Sequence, residues 1–547
     1  MATFTVTNTN NSGTGSLRQE ILDANALTGK NIINFSGLFN DGLAHTISLT
    51  SSGLSITDNL TIQGTNPNLL TVKDDSATRV FDIASGAIAT INGLTITNSY
   101  KGTGGGGAIS NEGVFTLNNS ILTGNTAEFV SNNYNPSGGG GGISNDGTLT
   151  VNYSTLTNNT EEFGSSRYGA TGGGGGIYNH GTLTVNYSTL NNNTDTPESG
   201  ASDEGGGGIY NIGILTVNYS TLNNNTVKSG GTSSDEGGGG IFNFGILTVS
   251  HSTLNHNTYT VESGASDEGG GGIYNIGTLT VNYSTLNNNT AEFVGNDFGN
   301  FRGGGGIYNG GTLTVNYSTL NNNTAEFLNS SYDEGGGAIY NYDGTLTVNY
   351  STLNNNTAES SSFSGGSAFG IFNYGRLNNG GGAIYNDGGT LTVNYSTLNN
   401  NTAESGSSNG GGGGGIYNQQ DGQSEGSSDY IYGFITVNHS SISGNQAHFG
   451  GGIYNAGGTL KVGNSTIKQN RAFGIELSSN NYKSGEGGGI YITTQSSTAL
   501  RYTPDTTTLD YSIIACNFET PLEDSTKFIK LDNVVGKFIN IGSLVEV

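Results

Sequence analysis

Four carboxylate pairs stand directly before glycine runs at equivalent places in the chain: Asp203-Glu204, Asp235-Glu236, Asp267-Glu268 and Asp333-Glu334. The first three are 32 residues apart. If segments of that length stack as β-coils, neighbouring pairs lie roughly 5 Å apart along the stack. Like charges so close repel, with a modest but cumulative cost in water. Calcium would relieve the repulsion, because it accepts about six to eight oxygens in flexible geometry, backbone carbonyls included. Side chains that splay into solvent and are screened by salt are the alternative. The pairs are therefore candidate calcium ligands, and no cofactor is required.

Two further columns could bind. Tyr178, Tyr210, Phe242, Tyr274, Tyr308 and Tyr340 each follow an isoleucine directly. Strand alternation places them outside, either as a stacking ladder between coils or as a platform for sugar rings or a partner protein. Thr182 and Thr184, repeated as Thr278/Thr280 and Thr312/Thr314, form an outward Thr-x-Thr double column. It suits a solvent-facing strand, with an ice-binding face as the sharper alternative.

Catalysis finds little support. A polysaccharide lyase needs clustered carboxylates and a positioned Lys or Arg base, and a glycosidase needs two carboxylates across a cleft. Between Gly138 and Leu460 the basic residues are Arg167, Lys228, Arg302 and Arg376. The loop carboxylates repeat from unit to unit, whereas a catalytic site is singular. His45, His180, His251, His256, His439 and His448 show no nucleophile or metal-ligand spacing. His251 and His256 occupy repeat positions held elsewhere by Tyr and Asn, as substitutions within ladders. No catalytic residue is assigned.

The elements that position these residues come from a repeat. Gly173–Thr194 reads GGGGIYNHGTLTVNYSTLNNNT, and Gly205–Thr226 and Gly269–Thr290 match it almost letter for letter. Most steps between equivalent isoleucines are 32 or 34 residues, the period of a repeat architecture. Leu183 and Val185 alternate with Thr182, Thr184 and Asn186, the period of two that marks a half-buried strand. Ile177 and Leu190 lie in two more short runs, separated by Gly181 and by Ser-Thr and Asn-Asn steps that favour turns. Three strands and three corners make one coil of a parallel β-helix, which needs neighbours to bury its apolar face. Ile177, Leu183, Val185 and Leu190 should point inward. Asn179, Asn193, Asn211, Asn225, Asn275 and Asn289 should stack as structural amide ladders. The glycine runs suit a tight bend with positive φ or a close backbone approach. They do not suit a phosphate-binding loop, because no Lys-Ser/Thr and no helix follows.

The whole chain fits an all-β solenoid. It has 547 residues, 94 of them glycine and periodic, with no Trp. A net charge of −25 repels phosphate backbones and so excludes nucleic acid as a partner, while favouring solubility and divalent cations. A lone Cys516 excludes an internal disulfide framework. The opening MATFTVTNTN lacks the basic start and apolar core of a secretory signal, and no apolar run is long enough for a transmembrane segment.

Four regions follow in order. Residues 1–30 form an N-terminal cap, with a short helix opened by the capping box Ser16 to Gln19 and an apolar face of Leu17, Ile21 and Leu22. Residues 31–98 are irregular first coils. Residues 99–500 are regular repeats of about 32–34 residues, each trailing a polar loop such as 195–204 or 227–236. The pattern breaks at 360–377 and carries an insertion at 419–432. Residues 501–547 hold the last coil and a C-terminal cap. About 15–17 coils are expected at roughly 4.8 Å each.

The step Gly107-Ala108-Ile109-Ser110-Asn111 with Leu122-Thr123-Gly124-Asn125, and Gly337-Ala338-Ile339-Tyr340-Asn341 with Leu353-Asn354-Asn355-Asn356, resembles the GGAI and FxxN repeats of the polymorphic outer-membrane-protein family. The opening from Phe4 to Asn25 is similar to the start of large bacterial β-helix surface proteins. The resemblance covers about residues 3–517. It implies single-stranded, right-handed, pectin-lyase-like coils, a cell-surface or extracellular setting, and an adhesive or structural role. Tyr153, Tyr187 and Tyr219 stand where that family often has a corner Asn. The function expected is a non-catalytic, elongated solenoid that binds a glycan or protein surface, or itself, end to end or side by side, in filaments or a surface layer. A carbohydrate-active enzyme is the alternative and ice binding the third.

Overall fold

A computed structural model describes residues 1–101, 105–130, 139–164, 172–197, 204–230, 235–262, 267–294, 300–328, 332–360, 379–405, 412–419, 433–478, 481–483, 485–493, 506–520 and 530–545. The chain forms two compact units, Met1–Thr258 and Tyr259–Val547. Each is a parallel β-helix.

One coil of the first unit shows the plan. Strands run over Ile177–Asn179, Thr182–Asn186 and Thr189–Asn191, as alternation and turn residues predict. Each pairs in parallel with its copy in the next coil: Ile177 with Ile209, Leu183 with Leu215, Leu190 with Leu222. Ile177, Leu183, Val185 and Leu190 are wholly buried, as are Ile307, Leu313, Val315 and Leu320 of the second unit. Each buried aliphatic side chain contributes roughly 1.5–3 kcal/mol, and every coil repeats the contribution.

The polar corners close by ladders. Asn193 Nδ2 donates to Asn225 Oδ1 at 2.9 Å and to the Leu156 carbonyl at 3.0 Å. Asn179 donates to Asn211 at 2.6 Å, and Asn225 to Asn257 at 3.0 Å. In the second unit Asn275 donates to Asn309 at 2.7 Å and Asn289 to Asn323 at 3.0 Å. These buried amides satisfy backbone groups that a corner would otherwise strand. A serine ladder accompanies them, with the Ser188 backbone N–H donating to Ser220 Oγ at 3.1 Å.

The coil has more strands than the three expected. The stretch read as a loop begins in a fourth strand, Thr194–Pro197, and ends in a fifth, Glu204–Gly206. The fifth strand pairs in register with the next one, Glu204 with Glu236. Its glycines answer to close approach, not to positive φ. A Cβ on Gly172 would lie 1.9 Å from Cζ of Tyr210, and one on Gly175 would lie 2.4 Å from the Gly207 carbonyl oxygen. In this coil the positive φ values fall instead on Tyr187 at 48° and Asn192 at 52°, while in other glycine runs Gly105, Gly106, Gly450 and Gly487 do take the positive φ expected, at 60°, 70°, 57° and 70°.

The helix Leu17–Asn25 opens on Ser16, whose side chain accepts from the Gln19 N–H at 3.2 Å. Its buried face is Leu17, Ile21 and Ala24. Leu22 is exposed instead, because residues four and three apart share a helix face and adjacent ones do not. Apart from Ser360 and Gln419, the break at 360–377 and the insertion at 419–432 lie outside the described residues. The strand Ile539–Ile541 continues the stack by pairing with Thr508–Asp510. Among the described residues, no helix is long and apolar enough to cross a membrane.

Candidate functional site

Among the described residues eight coils carry the fifth strand, and these strands form a sheet made mainly of glycines and acids with two differently occupied sides. Alternation sends Asp and Glu of each pair opposite ways. Asp333 is buried and accepts from Ser360 Oγ at 2.8 Å. Asp235 accepts from the Ser229 hydroxyl in the same manner, and Asp267 is also buried. Burial pushes the Asp333 carboxyl up to about 7, and neighbouring Glu334 adds to the rise while the Ser360 hydrogen bond opposes it. The expected column of solvent-facing carboxylates is thus corrected: the Asp side chains turn toward the fourth strands, in the interior. Asp203 and the side chain of Glu204 lie outside the described residues. Glu236 is half-buried.

The Glu side faces the aromatic column. In the second unit Glu268, Arg302 and Glu334 are register partners on adjacent strands. Arg302 donates from Nη1 to Glu268 at 3.1 Å and from Nε to Glu334 at 3.3 Å. Its guanidinium also lies 4.4 Å from the centre of the Tyr342 ring, a cation–π contact. Burial works against the Arg302 charge, but Tyr340, Glu334 and Glu268 outweigh it and hold the group above its ordinary value.

The phenols complete the network. Tyr274 donates to Glu268 at 3.3 Å, and Tyr308 donates to the same carboxylate. Tyr340 donates to Glu334 at 3.0 Å and lies 3.1 Å from Asp387. Tyr385 and Tyr417 donate to Gln419 Oε1 at 2.8 and 3.2 Å. Burial raises the Tyr340, Tyr385 and Tyr417 hydroxyls well above the usual phenol value, so they remain donors.

This burial corrects the exposed-platform alternative, while the stacking-ladder alternative is met, with Tyr178 and Tyr210 at 5.5 Å and Tyr274 and Tyr308 at 4.5 Å. Tyr178 is 8 % exposed, Tyr210 4 %, Tyr274 and Tyr308 1 %, and Phe242 and Tyr340 0 %. The rings do leave the coil interior, as alternation requires, but the glycine sheet lies over them. The chemistry of the trio follows from its pairing. Two carboxylates flank one guanidinium and accept phenol hydrogen bonds, so both are held as ion-paired acceptors. Among the described residues, no group of three or more His, Cys, Asp or Glu is placed to hold a metal ion.

A different aromatic column reaches solvent. Tyr153, Tyr187 and Tyr219 sit at the corner between the second and third strands and are 61, 51 and 51 % exposed. Their ring centres lie 5.1 and 5.0 Å apart, and His251 continues the stack 4.7 Å from Tyr219. In the second unit Tyr283, Tyr317, Tyr350 and Tyr395 stack at 4.9 Å, and His439 follows at 4.6 Å. Sequence reasoning noted these tyrosines only as departures from a corner Asn. The available signal was their place between Asn and Ser at a turn, where strand alternation ends.

These rings border an uncharged ribbon. In the regular coils the second and third strands carry Thr, Asn and apolar residues without charge, as in Thr182–Asn186, Thr189–Asn191, Thr312–Asn316 and Thr319–Asn321, whereas Lys461, Lys468 and Asp510 bring charge to the same strands further along the chain. Acidic residues stand instead on the fourth strands, where Glu292, Glu326, Glu359 and Glu404 stack in register. Comparison with known proteins returned no matching family model and no matching curated protein.

Proposed function

We propose that this protein is a non-catalytic adhesive or structural β-solenoid that acts at a cell surface or outside the cell. The supporting observation is the uncharged ribbon of outward Thr, Asn and corner Tyr, repeated coil after coil in a chain of net charge −25. A surface that repeats one set of hydroxyls, amides and ring edges suits attachment along its length, whereas a catalytic centre is singular. The resemblance to β-helix surface proteins points the same way. The test is retention of the purified chain on insoluble neutral polysaccharides and on protein-coated surfaces, with and without glutamate placed at Tyr187 and Tyr317. Retention that those changes abolish supports the proposal. Release of new sugar ends from neutral or acidic polysaccharides would overturn it in favour of a carbohydrate-active enzyme.

Ice binding is the second reading, favoured by the in-register Thr columns Thr278 with Thr312 and Thr280 with Thr314. Thermal hysteresis in solution, lost on Thr280→Tyr and Thr314→Tyr, would carry it.

A further inference from the structure

We infer that the corner-tyrosine column of the second unit, Tyr283, Tyr317, Tyr350 and Tyr395 with His439, is a self-association face that receives the same column of a second copy of this chain. The inference rests on the ribbon being the binding face and names its partner.

The geometry limits what the column offers. Adjacent rings are parallel within 4–5° at 4.9 Å, so their faces are taken by one another. What remains is a row of ring edges and hydroxyls, with Tyr317 and Tyr350 each 50 % exposed. A ligand that binds by stacking on a ring face therefore finds none within the column. A partner must instead meet ring edges at the coil spacing, step for step. A second copy presents that spacing by construction, as identical side-chain ladders do when they interdigitate between paired sheets. The same patch on both copies makes a two-fold, self-complementary contact. Tyr is also a residue that contributes large contact area at low conformational cost.

Charge selects the same face. Two copies each of net charge −25 repel one another. The stacked Glu292, Glu326, Glu359 and Glu404 make the fourth-strand face the worst place to meet. The strands Thr312–Asn316, Thr319–Asn321, Thr345–Asn349 and Thr352–Asn354 beside the tyrosines carry no charge. Contact there keeps the acidic faces apart, and added salt screens the repulsion that remains.

The test is sedimentation equilibrium of the full chain over a range of concentrations at low and high salt. The expected mass rises toward that of a dimer with concentration, and association tightens as salt increases. Tyr317→Glu with Tyr350→Glu should weaken association at least about tenfold. Tyr317→Asn with Tyr350→Asn guards against misfolding, since Asn tolerates the left-handed corner, and should also weaken it. Glu326→Gln on the acidic face should leave it as tight or tighter. A monomer at every concentration and salt, or undiminished association of both tyrosine variants, overturns the inference. If the chain stays monomeric while the tyrosine variants still lose retention on surfaces, the self-association fails and the ribbon stands.

Discussion

The second unit carries two tyrosine columns at the same coil spacing, and they behave differently. The buried column begins near parallel, with Tyr274 and Tyr308 13° apart, and then tilts: Tyr308 and Tyr340 are 32° apart, Tyr340 and Tyr385 38°, Tyr385 and Tyr417 36°. The exposed column stays parallel, with Tyr283, Tyr317, Tyr350 and Tyr395 within 4–5°. From Tyr340 onward the hydroxyl explains the difference. A buried phenol must find an acceptor or bear a desolvation cost, and each ring rotates toward Glu334, Asp387 or Gln419. A solvent-facing hydroxyl bonds to water, so its ring settles at the best stacking angle. Burial alone does not force a tilt: Tyr178 on Tyr210 and Tyr210 on Phe242 stack at 5° and 9° in the first unit, and Tyr274 and Tyr308 stay near parallel while sharing Glu268 as acceptor. One residue type thus serves as a hydrogen-bonded strut on one face and as an exposed, stacked edge on the other.

Breaking the buried network should have the largest effect. Arg302→Met leaves the part-buried Glu268 and Glu334, on the strands either side of it, without their shared cation. Removing one member of a fully buried ionic group costs roughly 3–5 kcal/mol, and this part-buried trio should lose up to roughly 3 kcal/mol. Chemical denaturation should show that loss, and adding Glu268→Gln with Glu334→Gln should recover much of it. A smaller loss than at an exposed corner tyrosine would show that the trio is not the strut described.

The next effect depends on pH. The Asp333 carboxyl in the fold is pushed up to about 7, well above the ordinary carboxylate range. The folded state therefore holds a proton that the unfolded state has already released between roughly pH 4 and 7. Stability contributed by the neutral form is full below that window and is lost as pH rises through it, by at most about 4 kcal/mol. Melting temperature measured from pH 4 to 8 should fall across the window, and Asp333→Asn should flatten that slope.

The two columns also show what the sequence could reveal. Ile177, Leu183, Val185 and Leu190, the paired Asn ladders and the Ser16 cap were legible, because period-two alternation and capping chemistry are local signals. The glycine strands were not. A strand of Glu-Gly-Gly has no apolar pattern, and its place is set by what its missing side chains allow, namely the approach of Gly172 to the Tyr210 ring. Without that sheet, alternation puts Tyr178 and Tyr340 in solvent, where they are not. Arg302 was hidden for a related reason: it occupies the Glu position of an acidic pair, and only strand register shows the equivalence.

A smaller pair of changes sharpens the comparison directly. Tyr340→Phe removes the donor to Glu334 and Asp387 and should cost about 1–3 kcal/mol, the desolvation of acceptors left short. Tyr317→Phe removes a hydroxyl that faces water, and should change stability by less than about 0.5 kcal/mol. Equal costs in thermal denaturation would mean that the tilt of the buried rings has another cause.

The smallest effect expected is that of a calcium chelator. Calcium was attractive because stacked carboxylates repel, but the second unit breaks the column in two ways. On the Glu side Arg302 stands between Glu268 and Glu334, within 3.1 and 3.3 Å of their oxygens. On the Asp side Phe301 is the register partner of Asp333, so an aromatic ring takes the place next to that carboxylate. Asp333 in turn accepts from Ser360. Repulsion that an arginine, a phenylalanine and a serine already relieve leaves a cation little to contribute. Chelator should therefore shift the melting temperature by less than about 1 °C, where a contribution of 1 kcal/mol would give a shift of a few degrees. A drop of several degrees that Asp267→Asn abolishes would instead make these acids calcium ligands, and the burial of Asp267 would then describe a metal-holding interior.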